Sequence, residues 1–295
     1  MEVIKGDFSE TKGIPPSGLC VGVHRAHAIH EKMARKYGKG LTVWSLRPDI
    51  EFLALRKEEV ESRGLRATDD LESADNGKVI FGVRGAPPEV RKRAQEMGVE
   101  VIADATCPFV IQQEEAAVEL LQQGFNLVLL SSRTHHGMPR LQGIAKEVGR
   151  MVFLVEEEED VHEIRLTRFD PIGVIVQTTF WMESYKRIMA RILDRFSNVR
   201  IRNTACIDSR QRLPEVERLA KQVEAIVVVG WTEGMTNRML EVARAFNPCV
   251  YKLEKIDQLH AEWFRGKEKV GVIGANETPN WILDEVVERI KCLAA

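Results

Sequence analysis

Apolar positions along the chain fall into two kinds of run that alternate. Short, nearly unbroken runs read as buried strands: LTVWSL (41–46), KVIFGV (78–83), NLVLLSS (126–132), GVIVQTT (173–179), EAIVVVG (224–230) and VGVIGA (270–275). Between them lie longer stretches that read as helices. VGVHRAHAIHEKMARKYG spans 21–38, PFVIQQEEAAVELLQQG spans 108–124 and IDSRQRLPEVERLAKQ spans 207–222. In the second of these, Ile111, Ala116, Val118 and Leu121 form an apolar stripe. Gly38 and Gly124 stand where a helix C-cap is expected.

The same order recurs three times: helix, strand, a second helix, a second strand. The second helices are EEVESRG (58–64), LQGIAKEVG (141–149) and NRMLEVARAF (237–246). The strands after them are KVIFGV, MVFLV (151–155) and VYKL (250–253). Such alternation predicts parallel sheets with helices on their faces, an α/β class. Three units are expected, 1–103, 104–203 and 204–295, related in pattern but little in residue identity.

Composition narrows the classes. Of 295 residues, 44% are hydrophobic and 29% charged, which fits a folded globular chain and excludes wholesale disorder. The net charge of −2 lacks the basic excess of a nucleic-acid binder. No apolar run approaches the length of a membrane span, and Met1–Pro16 lacks a secretory pattern, so a cytoplasmic protein is expected. The only structure expected in that opening segment is a strand at VIKG.

Five cysteines are an odd, thinly spread set, which points to metal or catalytic chemistry rather than disulfides. Cys249 and Cys292 read as small buried hydrophobes. Cys20, Cys107 and Cys206 share a context, because each precedes a helix and the last two end β-like runs, VEVIADATC and NVRIRNTAC. Ligands of parallel sheets gather beyond the carboxyl ends of strands, where helices begin. The partial positive charge there favours thiolate, the metal-binding form. Three thiolates would fill three corners of a cubane and leave one iron open. A zinc site of three cysteines and a histidine remains the alternative.

Several motifs carry a family resemblance. G-L-C-V-G-V-H-R-A (18–26), D-A-T-C-P (104–108), Q-T-T (177–179), T-A-C-I-D-S-R-Q-R (204–212), V-V-V-G (227–230) and V-G-V-I-G-A-N-E-T-P (270–279) occur in collinear order. Together they resemble the hydroxymethylbutenyl diphosphate reductases, the LytB/IspH family. The resemblance implies a three-lobed, trefoil-like α/β fold around a central [4Fe–4S] cluster held by Cys20, Cys107 and Cys206. It implies reductive removal of a hydroxyl from a small molecule, with ferredoxin or flavodoxin as electron donor. It also implies catalytic roles for Thr178 and His136, and substrate contacts from Arg84, His135, Thr236, Asn276 and Glu277.

The pocket motifs depart from the family. Pro48, in S-L-R-P-D-I-E-F (45–52), stands for one pocket histidine and Arg84 for another. T-H-H-G-M-P-R (134–140) keeps a histidine but has Met138 where the family has a glutamate. W-T-E-G-M-T-N-R (231–238) replaces the diphosphate loop, and Glu277 replaces a phosphate-binding serine. A small anionic substrate other than an isoprenoid diphosphate is therefore expected, losing a hydroxyl, thiol or similar group by reduction, with Arg84 as its anion clamp. A non-redox Lewis-acid dehydratase or desulfurase, or a non-enzymatic iron–sulfur sensor, would use the same cysteines.

Other features have plainer readings. His24, His27 and His30 recur on one helix and are expected on its surface or in packing. The acidic run Glu156–Asp160 reads as a solvated first helical turn. Trp231, Trp281 and Phe180 read as aromatic core.

Overall fold

The computed structural model describes residues 1–6, 18–52, 55–74, 77–133, 138–231 and 233–294. His135 and His136 lie outside the described residues. Contacts divide the chain into two compact units. One comprises Met1–His24, Phe52–Arg56 and Ile207–Ala295, and the other Arg25–Glu51 and Lys57–Cys206.

The second unit holds two four-stranded parallel sheets. In one, β2 (Thr42–Trp44), β3 (Arg66–Thr68), β4 (Lys78–Phe81) and β5 (Glu100–Asp104) lie in the order β3-β2-β4-β5. In the other, β6 (Asn126–Leu130), β7 (Val152–Val155), β8 (Ile172–Val176) and β9 (Val199–Arg202) lie in the order β7-β6-β8-β9. The first unit repeats the plan with β10 (Ala225–Val229), β11 (Val250–Leu253) and β12 (Lys269–Gly274). There β1 (Glu2–Lys5) fills the fourth place, beside β12. The opening strand thus belongs with the last sheet rather than with the residues that follow it, because its backbone bonds are made to residues 269–272.

Burial explains the strand sequences. The inner strands β6, β8 and β10 are covered on both faces and buried throughout, so they are runs rich in Val, Ile and Leu rather than alternating. The edge strands β5 and β9 are half exposed and carry Glu100, Arg200 and Arg202, charges that discourage pairing with another chain.

Helices connect the strands: α1 (Val21–Tyr37), α2 (Lys57–Arg63), α3 (Pro88–Glu96), α4 (Pro108–Gln122) and α5 (Met138–Glu147). They continue as α6 (Met182–Arg195), α7 (Ile207–Gln222), α8 (Glu233–Arg244) and α9 (Asn280–Ala294). Gly38 and Gly124 close α1 and α4 with φ of +84° and +88°, where a side chain would be strained. Among the described residues, no helix is long and apolar enough to cross a membrane.

The plainer readings are met in part. His27 and His30 are buried along α1, while His24 is exposed. The acidic run becomes a 3-10 helix, Glu158–Glu163, in which Asp160 accepts the N–H groups of Glu156 and Glu157. Phe180 is core, whereas Trp231 donates to the Glu254 carbonyl at 2.8 Å and Trp281 lies under the Arg56 guanidinium.

Candidate functional site

Each of the three cysteines opens a helix, and each is anchored in the same way. The Cys107 N–H donates to the Val83 carbonyl at 2.9 Å, that of Cys206 to Thr178 at 2.7 Å, and that of Cys20 to Asn276 at 2.9 Å. Val83, Thr178 and Asn276 all stand two residues beyond the third strand of their sheets, β4, β8 and β12. The strand in fourth place, β5, β9 or β1, is in every case the one that precedes the cysteine in the chain. A threefold repeat weak in residue identity is therefore explicit in hydrogen bonding.

The approach to two cysteines is built from the same turn. Asp104 Oδ1 accepts the Thr106 N–H at 2.9 Å, and Asn203 Oδ1 accepts the Ala205 N–H at 3.2 Å. Both are Asx turns leading directly into Cys107 and Cys206. Burial alone would raise the Asp104 carboxyl, but hydrogen bonds from Thr106 and Arg91 outweigh it and hold it below the usual range. It is thus an anionic acceptor at neutral pH. Arg25, in α1, donates to the Thr106 carbonyl at 2.9 Å and secures the same segment.

The sulfurs have helix N-termini beside them. Cys107 caps α4, with Pro108 in its first turn. The Val23 N–H approaches Cys20 Sγ at 3.5 Å, a donor that favours negative charge on sulfur. None of the three is in a disulfide. This donor set fits a cluster that needs one thiolate for each of three irons. Among the described residues, no group of three or more His, Cys, Asp or Glu side chains closes around a single metal ion. Cys249 lies at the amino end of β11, where its sulfur receives Lys267 Nζ at 3.7 Å, and Cys292 is exposed in α9.

Of the expected substrate residues, Arg84, Thr236, Asn276 and Glu277 follow the first and third strands of their sheets, the pair between which strand order reverses, while His135 lies outside the described residues. In the first unit, Thr236 follows β10, and Asn276 and Glu277 follow β12. Thr236 is fully buried, and neither its Oγ1 nor the Asn276 side-chain oxygen has a hydrogen-bond partner among the described residues. Glu277 is 6% exposed. In the second unit, Arg84 follows β4, partly exposed. Thr178 does not cap a helix, since α6 begins at Met182 with Trp181 at its N-cap. Its neighbour Gln177 locks the ends of β6 and β8 together by accepting from Ser131 Oγ and the Ser132 N–H, both at 2.9 Å.

Three residues around these turns escaped the sequence reading. Glu51, within 45–52, reaches Arg84, with Oε2 3.6 Å from Nη1. Arg140, 2% exposed, donates to the Arg84 carbonyl at 2.8 Å and meets Glu114 of α4 at 2.5 Å. Burial raises the Glu114 carboxyl against the pull of Arg140, and burial likewise lowers the Arg140 guanidinium. Arg212 is fully buried and bonded to Asp208 and to the Gly18 and Gly274 carbonyls. All three fall within stretches quoted above, 45–52, 134–140 and 204–212, but nothing in those stretches marked them as buried charges.

Fold and site together define an α/β protein that presents three equivalently anchored cysteines at strand ends. Comparison with known proteins makes this specific. The model of the LytB protein family matches residues 13–291, so the chain belongs to the LytB family. A 4-hydroxy-3-methylbut-2-enyl diphosphate reductase of Geobacter sulfurreducens is 32% identical over 276 residues, 93% of this chain and 94% of that protein. One from Pelobacter propionicus is 33% identical over 275 residues, 93% of this chain and 95% of its own.

Solved structures agree on the fold. The E-1-hydroxy-2-methyl-but-2-enyl-4-diphosphate reductase of Plasmodium falciparum superposes with TM-score 0.83 at 18% identity, covering 97% of this chain and 86% of that one. An (E)-4-hydroxy-3-methyl-but-2-enyl diphosphate reductase gives 0.63 at 28% identity, over 99% of each chain. Enzymes of this family use a [4Fe–4S] cluster and act by reductive dehydroxylation, and the chain is an iron–sulfur oxidoreductase of that type. It therefore requires a small-molecule substrate and an electron donor.

Proposed function

We propose that Cys20, Cys107 and Cys206 hold the cluster and that the substrate is a small anion carrying less charge than an isoprenoid diphosphate. The observation that carries the substrate reading is the buried carboxylate of Glu277, beside Asn276 at the end of β12. A diphosphate drawn to within about 4 Å of that carboxylate would meet a repulsion on the order of 4 kcal/mol at an effective dielectric near 20. That corresponds to roughly three orders of magnitude in affinity. Thr236 Oγ1 and the Asn276 oxygen, which have no hydrogen-bond partner among the described residues, suit a neutral polar group better than a polyanion.

When bound, the cluster supplies electrons and an open Lewis-acid iron. Arg84 would orient the anionic end of the substrate. Thr178 and His136 would deliver protons, Thr178 from its hydroxyl. The overall change is R–OH plus two electrons and two protons, giving R–H and water. The electrons would come one at a time from ferredoxin or flavodoxin, and the reaction belongs in the cytoplasm.

The test is anaerobic turnover of the reconstituted protein with a one-electron donor. No reduction of 4-hydroxy-3-methylbut-2-enyl diphosphate is expected, while less charged allylic or α-hydroxy acids should perturb the cluster spectrum. Efficient turnover of the diphosphate would overturn the substrate reading. Activity without any reductant would instead establish Lewis-acid chemistry.

A further inference from the structure

Glu51 combines complete burial with charge, a combination that proteins accommodate only where it is paired. It lies beyond β2, across the strand-order reversal from Arg84 beyond β4. Its Oε2 accepts the Ser45 hydroxyl at 2.7 Å and stands 3.6 Å from Arg84 Nη1. Its Oε1 accepts the Val83 N–H at 3.2 Å. Room for it depends on Gly82, where a Cβ would stand 2.7 Å from Oε1.

The two side chains differ in access. That of Glu51 is sealed, whereas that of Arg84 is 21% exposed, so the guanidinium is the member of the pair that a ligand can reach. The turn beneath Arg84 is also held: Gly85 N–H donates to the Gly82 carbonyl at 3.0 Å, and Cys107 N–H and Arg140 Nη1 take the Val83 and Arg84 carbonyls. Arg84 is thus presented on a fixed support with a carboxylate 3.6 Å from its guanidinium.

We infer that Glu51 is a specificity-determining residue: by neutralising Arg84 it makes this crevice accept a single carboxylate and reject a diphosphate. This deepens, and rests on, the reading of the substrate as a less charged anion. The pair retains directional hydrogen bonding to one carboxylate, while Glu51 offsets part of the attraction that Arg84 would exert on a polyanion.

The test uses inorganic pyrophosphate as probe, titrated into the anaerobic holoprotein by calorimetry. The natural protein should bind it no better than millimolar. Glu51→Gln and Glu51→Met, two charge-free replacements, should each raise pyrophosphate affinity on the order of tenfold. Adding Arg84→Gln to either should abolish the gain. Unchanged affinity in the single variants, or a gain that survives loss of Arg84, overturns the role of Glu51 whatever the natural substrate is. Should neither single variant fold, micromolar pyrophosphate binding by the natural protein still refutes the proposal, and millimolar or weaker binding supports it. Turnover of the isoprenoid diphosphate by the natural protein is a separate result, which refutes the substrate reading itself.

Discussion

Arg212 and Asp208 pair at two points across one turn of α7, Nε to Oδ2 at 3.0 Å and Nη2 to Oδ1 at 2.7 Å, both buried. The same guanidinium donates to Gly274 at 2.6 Å and Gly18 at 3.0 Å. Those glycines lie two residues before Asn276 and Cys20, whose backbones bond to each other. Arg212 therefore braces both sides of the Cys20 anchor. Arg212→Met leaves a carboxylate and two carbonyls buried without it, and should cost about 3–5 kcal/mol in chemical denaturation. Arg212→Lys, which keeps charge but not the planar fork, should recover only part. A loss below about 1 kcal/mol for the methionine variant would rule out the brace.

Cys20→Ala, Cys107→Ala and Cys206→Ala are each expected to lose the brown colour and cluster absorbance after anaerobic reconstitution. Cys249→Ala and Cys292→Ala should keep both, since one thiol engages Lys267 and the other is exposed on α9. A normal spectrum in Cys107→Ala would remove it from the ligand set.

Thr236→Val tests whether this hydroxyl, which has no partner among the described residues, is kept for a ligand. Burying such a group costs about 1–3 kcal/mol, so an isosteric methyl should raise the thermal midpoint. Substrate affinity should fall in the same variant. Lower stability in Thr236→Val would mean that the hydroxyl serves the fold.

His30 provides a pH signature. Burial, then His27 and Arg63, lower its pKa from 6.5 to about 3, so the folded state holds it neutral. With the folded value depressed, its contribution is present above pH 6.5 and is lost as pH falls toward 3. Between pH 7 and pH 5 the loss should be about 2 kcal/mol. His30→Met should flatten that slope, measured as the difference in denaturation free energy between variant and natural protein at each pH. Parallel pH profiles would show that His30 does not titrate in this range.

Much of the scaffold was legible because burial on both faces leaves a local mark. AIVVV and NLVLL allow little but inner strands, and Gly38 and Gly124 marked helix ends to the residue. The cysteines were legible because chain order brought each one to a helix start. The Asp and Asn three residues before Cys107 and Cys206 were equally visible, and the turns they form are local. Glu51 was not singled out, because a position in a motif does not say which side chain of a loop turns inward.

The sequence by itself determined the strands, the helices, their parallel character and the three thiols, since these follow from periodicity, capping and residue chemistry close along the chain. Only the tertiary structure decided that β1 completes the last sheet and that Cys20 bonds to Asn276, 256 positions away in the numbering. It alone set Glu51 beside Arg84 and Arg140 beneath it. A parallel strand can accept either neighbour as far as its own pattern is concerned, and a buried charge is placed by partners that folding brings from elsewhere.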